Sequence, residues 1–149
     1  MRGHQSGYRK LSKGKDQREA LLRGLARDLI LRERITTTVP RAKEAKKFTE
    51  ELITLGKHAL AATAPEQKLH YRRQALAALP DQDVVKRIFD EVAPRVASRP
   101  GGYTRIVHLG TRKGDAAEVA LLELVEQAPR KVRVPRGRKE EAEEETTER

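Results

Sequence analysis

The apolar positions of the chain fall into four helical stretches followed by two strand-like ones, flanked by ends that hold almost none. From Asp16 to about Arg34, Leu21, Leu22, Leu25, Ala26, Leu29 and Ile30 recur at the three- and four-residue spacing of an amphipathic helix. Asp16, with Glu19 three residues later, reads as a capping box at its start. RITTTV, residues 34–39, is short and β-branched and predicts a strand or extended link, after which Pro40 suits the first turn of a second helix. That helix, RAKEAKKFTEELITLGKHAL, carries Ala45, Phe48, Leu52, Ile53, Leu55 and Gly56 on or beside its inner face. AATAPEQ interrupts it, and Thr63 with Glu66 offers a second capping box for a third helix reaching about Ala78. Asp81 caps a fourth, in which Val84, Val85, Ile88, Phe89 and Val92 share a face, and Pro94 and Pro100 end it.

The period then changes from helix to strand. YTRIVHLG and EVALLELVE alternate like strands and are separated by the turn-rich TRKGDAA, which predicts a hairpin, with Gly101 and Gly102 turning the chain into it. There is no internal repeat. Four helices with a small two- to three-stranded sheet make an α+β fold. The expected organisation is a basic N-terminal extension over 1–15, a globular domain over 16–126, and a basic linker followed by an acidic tail over 127–149. Neither end has the apolar residues to fold alone: the first is expected to be extended and the last disordered.

Charge sharpens this division. The 149 residues carry 32 Lys and Arg against 22 Asp and Glu, a net charge of +10, which points to a polyanionic partner. Residues 1–27 hold eight basic residues against Asp16 and Glu19, whereas 28–127 are nearly neutral. APRKVRVPRGRK, 128–139, is basic without an acid, and EEAEEETTER, 140–149, is strongly acidic. There is no Cys, which excludes disulfides, thiolate nucleophiles and Cys-ligated zinc. No apolar run approaches the roughly 18 residues of a membrane span, so the expectation is a cytoplasmic protein with no membrane partner.

Catalytic chemistry has no foothold. His4, His58, His70 and His108 lie in different elements, none at triad or metal-site spacing, and Ser6, Ser12 and Ser98 sit outside any nucleophile elbow. The reading is a non-enzyme with no cofactor, no metal and no small-molecule substrate. Of five aromatics, Phe48 and Phe89 fall on core positions, leaving Tyr8, Tyr71 and Tyr103, too few to stack a single strand. Binding through phosphates of a structured nucleic acid follows. Candidate contacts are Arg2, Arg9, Lys10, Lys13 and Lys15 in the extension, Arg23 and Arg27 on the first helix, Arg41 and Lys43 where the second begins, and Arg99, Arg105, Arg112 and Lys113 around the hairpin, with Tyr103 among them. An architectural protein that compacts DNA is the alternative, sharing the charge but not the partner.

MRxxxSGxRKL at the start, ITTTVPRAKE at 35–44, LITLGK at 52–57, and RPGGYTRI followed by LLELVE closely resemble the bacterial large-subunit ribosomal protein family numbered seventeen. The resemblance covers residues 1 to about 126. It implies an α+β fold with an RNA-penetrating N-terminus, a structural role in the 50S subunit on 23S ribosomal RNA, and neighbouring large-subunit proteins near the polypeptide exit. By motif it carries RNA contact to Arg2, Ser6, Arg9, Lys10, Lys13, Arg18, Arg23, Thr37, Arg41, Lys43, Tyr103 and Arg105. It implies neither catalysis nor a cofactor.

Overall fold

In a computed structural model of the chain, residues 7–126 are described. Helix α1, Lys15–Arg32, leads into strand β1, Arg34–Thr38, which runs directly into α2, Val39–Ala61. Helix α3, Pro65–Ala78, folds back on α2. A final helical run comprises α4, Gln82–Arg87, a π-helical stretch, Ile88–Val92, and the short α5, Ala93–Arg95. Strands β2, Thr104–Thr111, and β3, Glu118–Leu124, close the domain. This is the α+β architecture that the hydrophobic pattern predicts.

The helix ends show which local signals operate. Asp81 caps α4 as expected, its Oδ1 accepting the Val84 N–H at 3.2 Å. Neither capping box forms. α1 begins at Lys15, so Gly14 occupies the cap and contributes only its carbonyl to Arg18 N–H at 2.9 Å, while Asp16 lies inside the first turn, where the helix dipole still favours it. α3 begins at Pro65, whose fixed φ and missing N–H suit the first helical position; the cap is therefore Ala64, and Thr63 lies outside. Pro94 does not end the fourth helix. The turn before it opens to π geometry, with Ala93 N–H donating five residues back to the Ile88 carbonyl, which accommodates the proline's missing donor and its ring. Gly56 makes room for this wider turn on α2: a Cβ there would stand 3.0 Å from the Ala93 Cβ.

The sheet order is β1-β3-β2, antiparallel throughout, so the last strand lies between the other two. The predicted hairpin forms, and β1 joins it from the far side. Ile35, Leu122 and Ile106 lie in register across the three strands, and this face packs with α2 into the core. A bulge between His108 and Gly110 bends β2 near its end, where Gly110 takes a φ of 102° open to glycine. The core gathers Leu22, Ala26, Leu29 and Ile30 from α1, Ala45, Leu52 and Ile53 from α2, Ile88, Phe89 and Val92 from the π turn, and Leu122 and Leu124 from β3.

The basic extension is not wholly separate from this domain. Leu11 packs at the edge of the core, and Gly7 and Arg9 are bonded to side chains of the helices. The basic linker and acidic tail expected over 127–149 fall outside the described residues, as do Arg2 and Ser6.

Candidate nucleic-acid interface

A guanidinium bonded to a carboxylate must share or exchange that bond to meet a phosphate, whereas an unpaired cation is open at once, so the candidate cations divide by what they touch. They fall into two groups.

The first group is engaged within the domain. Arg18 pairs with the buried Glu44 at 2.8 Å, Arg27 with Asp81 at 2.9 Å, and Arg23 donates to the Ala78 carbonyl at 2.9 Å while standing 3.8 Å from Glu19. Around the hairpin, Arg99 meets Glu126 at 3.4 Å, and Arg105 donates through Nε to Glu123 at 2.9 Å. Arg95 joins Glu33 at 3.0 Å and the Glu126 carbonyl at 3.1 Å. The basic cluster that the sequence suggests there is therefore largely matched by carboxylates. Tyr103 is also turned inward. It is only 4% exposed, with the Lys57 ammonium over its ring at 5.1 Å, so its place is in the domain's own packing rather than on an open stacking surface. Lys57 in turn donates to the Arg99 carbonyl. Thr37, half-buried, lies on β1 opposite Ala120 and shares the inward face of Ile35.

The second group is exposed and, among the described residues, makes no ion pair: Arg9, Lys10, Lys13 and Lys15 before and at the start of α1, Arg41 and Lys43 at the start of α2, and Lys113 at the hairpin tip. Thr38 makes no side-chain cap on α2, Pro40 has no N–H, and the first turn contains no acid. The start of α2 thus combines two unpaired cations with the positive end of a 23-residue helix. The extension and α2 also meet. Lys47 Nζ donates to the Gly7 carbonyl at 3.4 Å, and Arg18 bridges from Glu44 on α2 to the Arg9 carbonyl at 2.8 Å. Two basic segments well separated in sequence adjoin in space.

Sequence reasoning missed Glu44 and weighed Tyr8 only for stacking on bases, whereas both meet Arg18 at this junction. Glu44 lies one helical turn before Phe48 and three before Leu55, on the half-buried flank of α2, and that alignment is the signal that could have marked it as a buried acid.

At the hairpin tip Arg112 holds Asp115 with two bonds, Nε to Oδ1 at 3.0 Å and a second guanidinium nitrogen to Oδ2 at 2.6 Å. The Arg112 side-chain hydrogen bond, helped by the Ala117 N–H, lowers the Asp115 carboxyl to about 2, and Asp115 raises Arg112 in return. A depressed carboxylate stabilises the folded turn above its unfolded value, and that contribution is lost as pH falls through the folded one. We expect NMR titration to find the Asp115 carboxyl still ionised at about pH 3, with the amides of 112–117 shifting only as pH drops to about 2. Midpoints near the ordinary value of 3.8 would remove the Arg112 bond from the solution structure.

Among the described residues no three His, Asp or Glu side chains gather as a metal site, and no helix is long and apolar enough to cross a membrane. A small α+β domain that sets unpaired positive charge on one arm and one helix end has the form of a basic scaffold protein. Residues 21–125 match the family model of ribosomal protein L17. The chain is 53% identical over 118 residues to the large ribosomal subunit protein bL17 of Caldanaerobacter subterraneus subsp. tengcongensis, an overlap of 79% of this chain and 98% of that one. It is 49% identical over 122 residues to the bL17 of Fusobacterium nucleatum, covering 82% and 98% of the two chains. The chain belongs to the ribosomal protein L17 family.

Proposed function

We propose that the chain is a structural constituent of the large ribosomal subunit, binding structured 23S ribosomal RNA through phosphate contacts and supporting subunit assembly and translation. Family membership supports the ribosomal role, and the motifs it shares support a position among large-subunit proteins near the polypeptide exit. The observation that carries the RNA reading is the partition of the candidate cations. Arg18, Arg23 and Arg27 on α1 and Arg99, Arg105 and Arg112 beside the sheet are bonded within the domain, whereas Arg9, Lys10, Lys13, Lys15 at the first position of α1, Arg41 and Lys43 are exposed without an ion pair among the described residues. Such a surface suits the phosphate backbone of a folded RNA, whose deep major groove side chains do not read. The chain acts by binding and not by catalysis.

The test replaces Arg41 and Lys43 together by Ala. Both are exposed, so circular dichroism should be unchanged. Filter binding to purified 23S ribosomal RNA should weaken by roughly tenfold or more at moderate salt, and the slope of log affinity against log salt should fall by about two. An unaltered slope would separate these residues from phosphate binding. Equal affinity for duplex DNA at every salt concentration would instead favour a DNA-compacting protein.

A further inference from the structure

The root of the N-terminal arm is held to the domain by contacts that use no RNA. Arg18 is at their centre. One end of its guanidinium meets Glu44, which is 4% exposed; its Nε donates to the Arg9 carbonyl at 2.8 Å; and its Cζ lies 4.3 Å from the centroid of the Tyr8 ring. Lys47 adds a bond to the Gly7 carbonyl at 3.4 Å. Between these bonds and α1 the chain reverses in a tight turn. Lys13 N–H donates to the Lys10 carbonyl at 3.2 Å, and both central residues take positive φ, 58° at Leu11 and 55° at Ser12. A leucine and a serine adopt that conformation only when their surroundings impose it. Here Leu11 is anchored at the core edge and Arg18 grips the carbonyl just before the turn.

We propose that Tyr8, Arg18 and Glu44 form a clasp that orders the root of the arm on α2 before any RNA is met, so that the arm and the start of α2 present their cations as one preformed surface. Arg18 is then a positioning residue and not a phosphate ligand. Its charge is answered by a buried carboxylate, and its remaining bonds go to the arm's own backbone and aromatic ring. The benefit is preorganisation: residues already ordered do not lose their backbone freedom at the moment of binding. The consequence for binding rests on the RNA reading above; the order of the arm in the free protein does not.

The experiment uses the full chain, labelled for backbone relaxation, with purified 23S ribosomal RNA as the binding probe. Ser12→Val puts a β-branched residue at a positive φ on the surface and changes no charge. Tyr8→Ala removes the ring under Arg18, and Glu44→Gln keeps the shape of the pair without its charge. In the free wild-type protein, order parameters for residues 8–12 should approach the rigid value of about 0.85, and in Ser12→Val and Tyr8→Ala they should fall below about 0.6. RNA affinity should drop about tenfold in both, with an unchanged salt slope because no phosphate ligand is removed. Glu44→Gln should behave alike where it folds; the two surface variants decide the matter where it does not. An arm equally ordered in Ser12→Val and Tyr8→Ala would overturn the clasp. So would an Arg18→Gln chain that keeps its arm ordered while its salt slope drops by about one, since Arg18 would then be a phosphate ligand. A looser arm with undiminished affinity would overturn the claim that the clasp preorganises the arm's cations for binding.

Discussion

Removing residues 2–13 should leave a folded domain that binds 23S ribosomal RNA roughly two to three orders of magnitude more weakly at physiological salt. The deletion takes away Arg2, Arg9, Lys10 and Lys13, and each phosphate no longer neutralised lowers the salt slope by about 0.9. The slope should therefore fall by about three to four. The fold should survive because the core is drawn from α1 to β3, and Leu11, half-buried at its edge, is the one apolar side chain that residues 7–14 add to it. Removing that packing and the bond from Arg18 to the Arg9 carbonyl should cost about 1–2 kcal/mol. Circular dichroism would show retained helix with a midpoint lowered by several degrees, and the truncated chain should no longer sediment with large subunits in a magnesium-containing gradient. Retained co-sedimentation would move the main attachment to α2 and the hairpin.

The features legible in the sequence are those whose cause is local. Asp81 caps α4 because an Asx side chain reaches an amide three residues on, and Pro40 marks a helix start because its ring fixes φ there. The failed capping boxes show the limit of the same logic, since a competing Gly14 or Pro65 shifts the start by a residue or two. Long-range pairing is where sequence reasoning stops. Nothing in RITTT announces that it will lie beside β3 rather than β2, because both hairpin strands offer alternating apolar positions.

The same distinction governs the interface. Arg18 finds its carboxylate 26 residues away, Arg27 finds one 54 away, and Arg95 one 62 away. Along the chain, each looks like an available cation. Only the fold reveals which are spent on internal partners, and the hairpin cluster is the clearest case: Arg99 and Arg105 face Glu126 and Glu123, and Tyr103 turns into the core. The arm and the start of α2 keep their charge because few acids are brought near them. Glu44, the acid closest in sequence to Arg41 and Lys43, is buried and committed to Arg18. That commitment leaves the neighbouring lysine and arginine open, which is how a buried acid can favour a basic surface.

Leu122→Ala should separate stability from binding in the opposite sense to the arm deletion. Leu122 is fully buried on the central strand, opposite Ile35 on one side and Ile106 on the other, so its removal leaves a cavity bordered by all three strands. Buried leucines cost roughly 3–4 kcal/mol when truncated in sites that collapse poorly, and a domain of this size should lose on the order of 10–15 °C in its thermal midpoint. The exposed cations are untouched, so the salt slope of RNA binding should stay at its wild-type value well below the new midpoint. Affinity should change by no more than a few-fold, because α2 is held by its own buried residues Ala42, Ala45, Leu52 and Ile53, so that a slackened β1, although it passes straight into α2 at Val39, shifts Arg41 and Lys43 only slightly. A large loss of affinity at unchanged slope and full helicity would mean that the sheet sets the geometry of the α2 cations. The proposed phosphate-binding surface would then depend on the β1-β3 pairing as directly as it does on its charges.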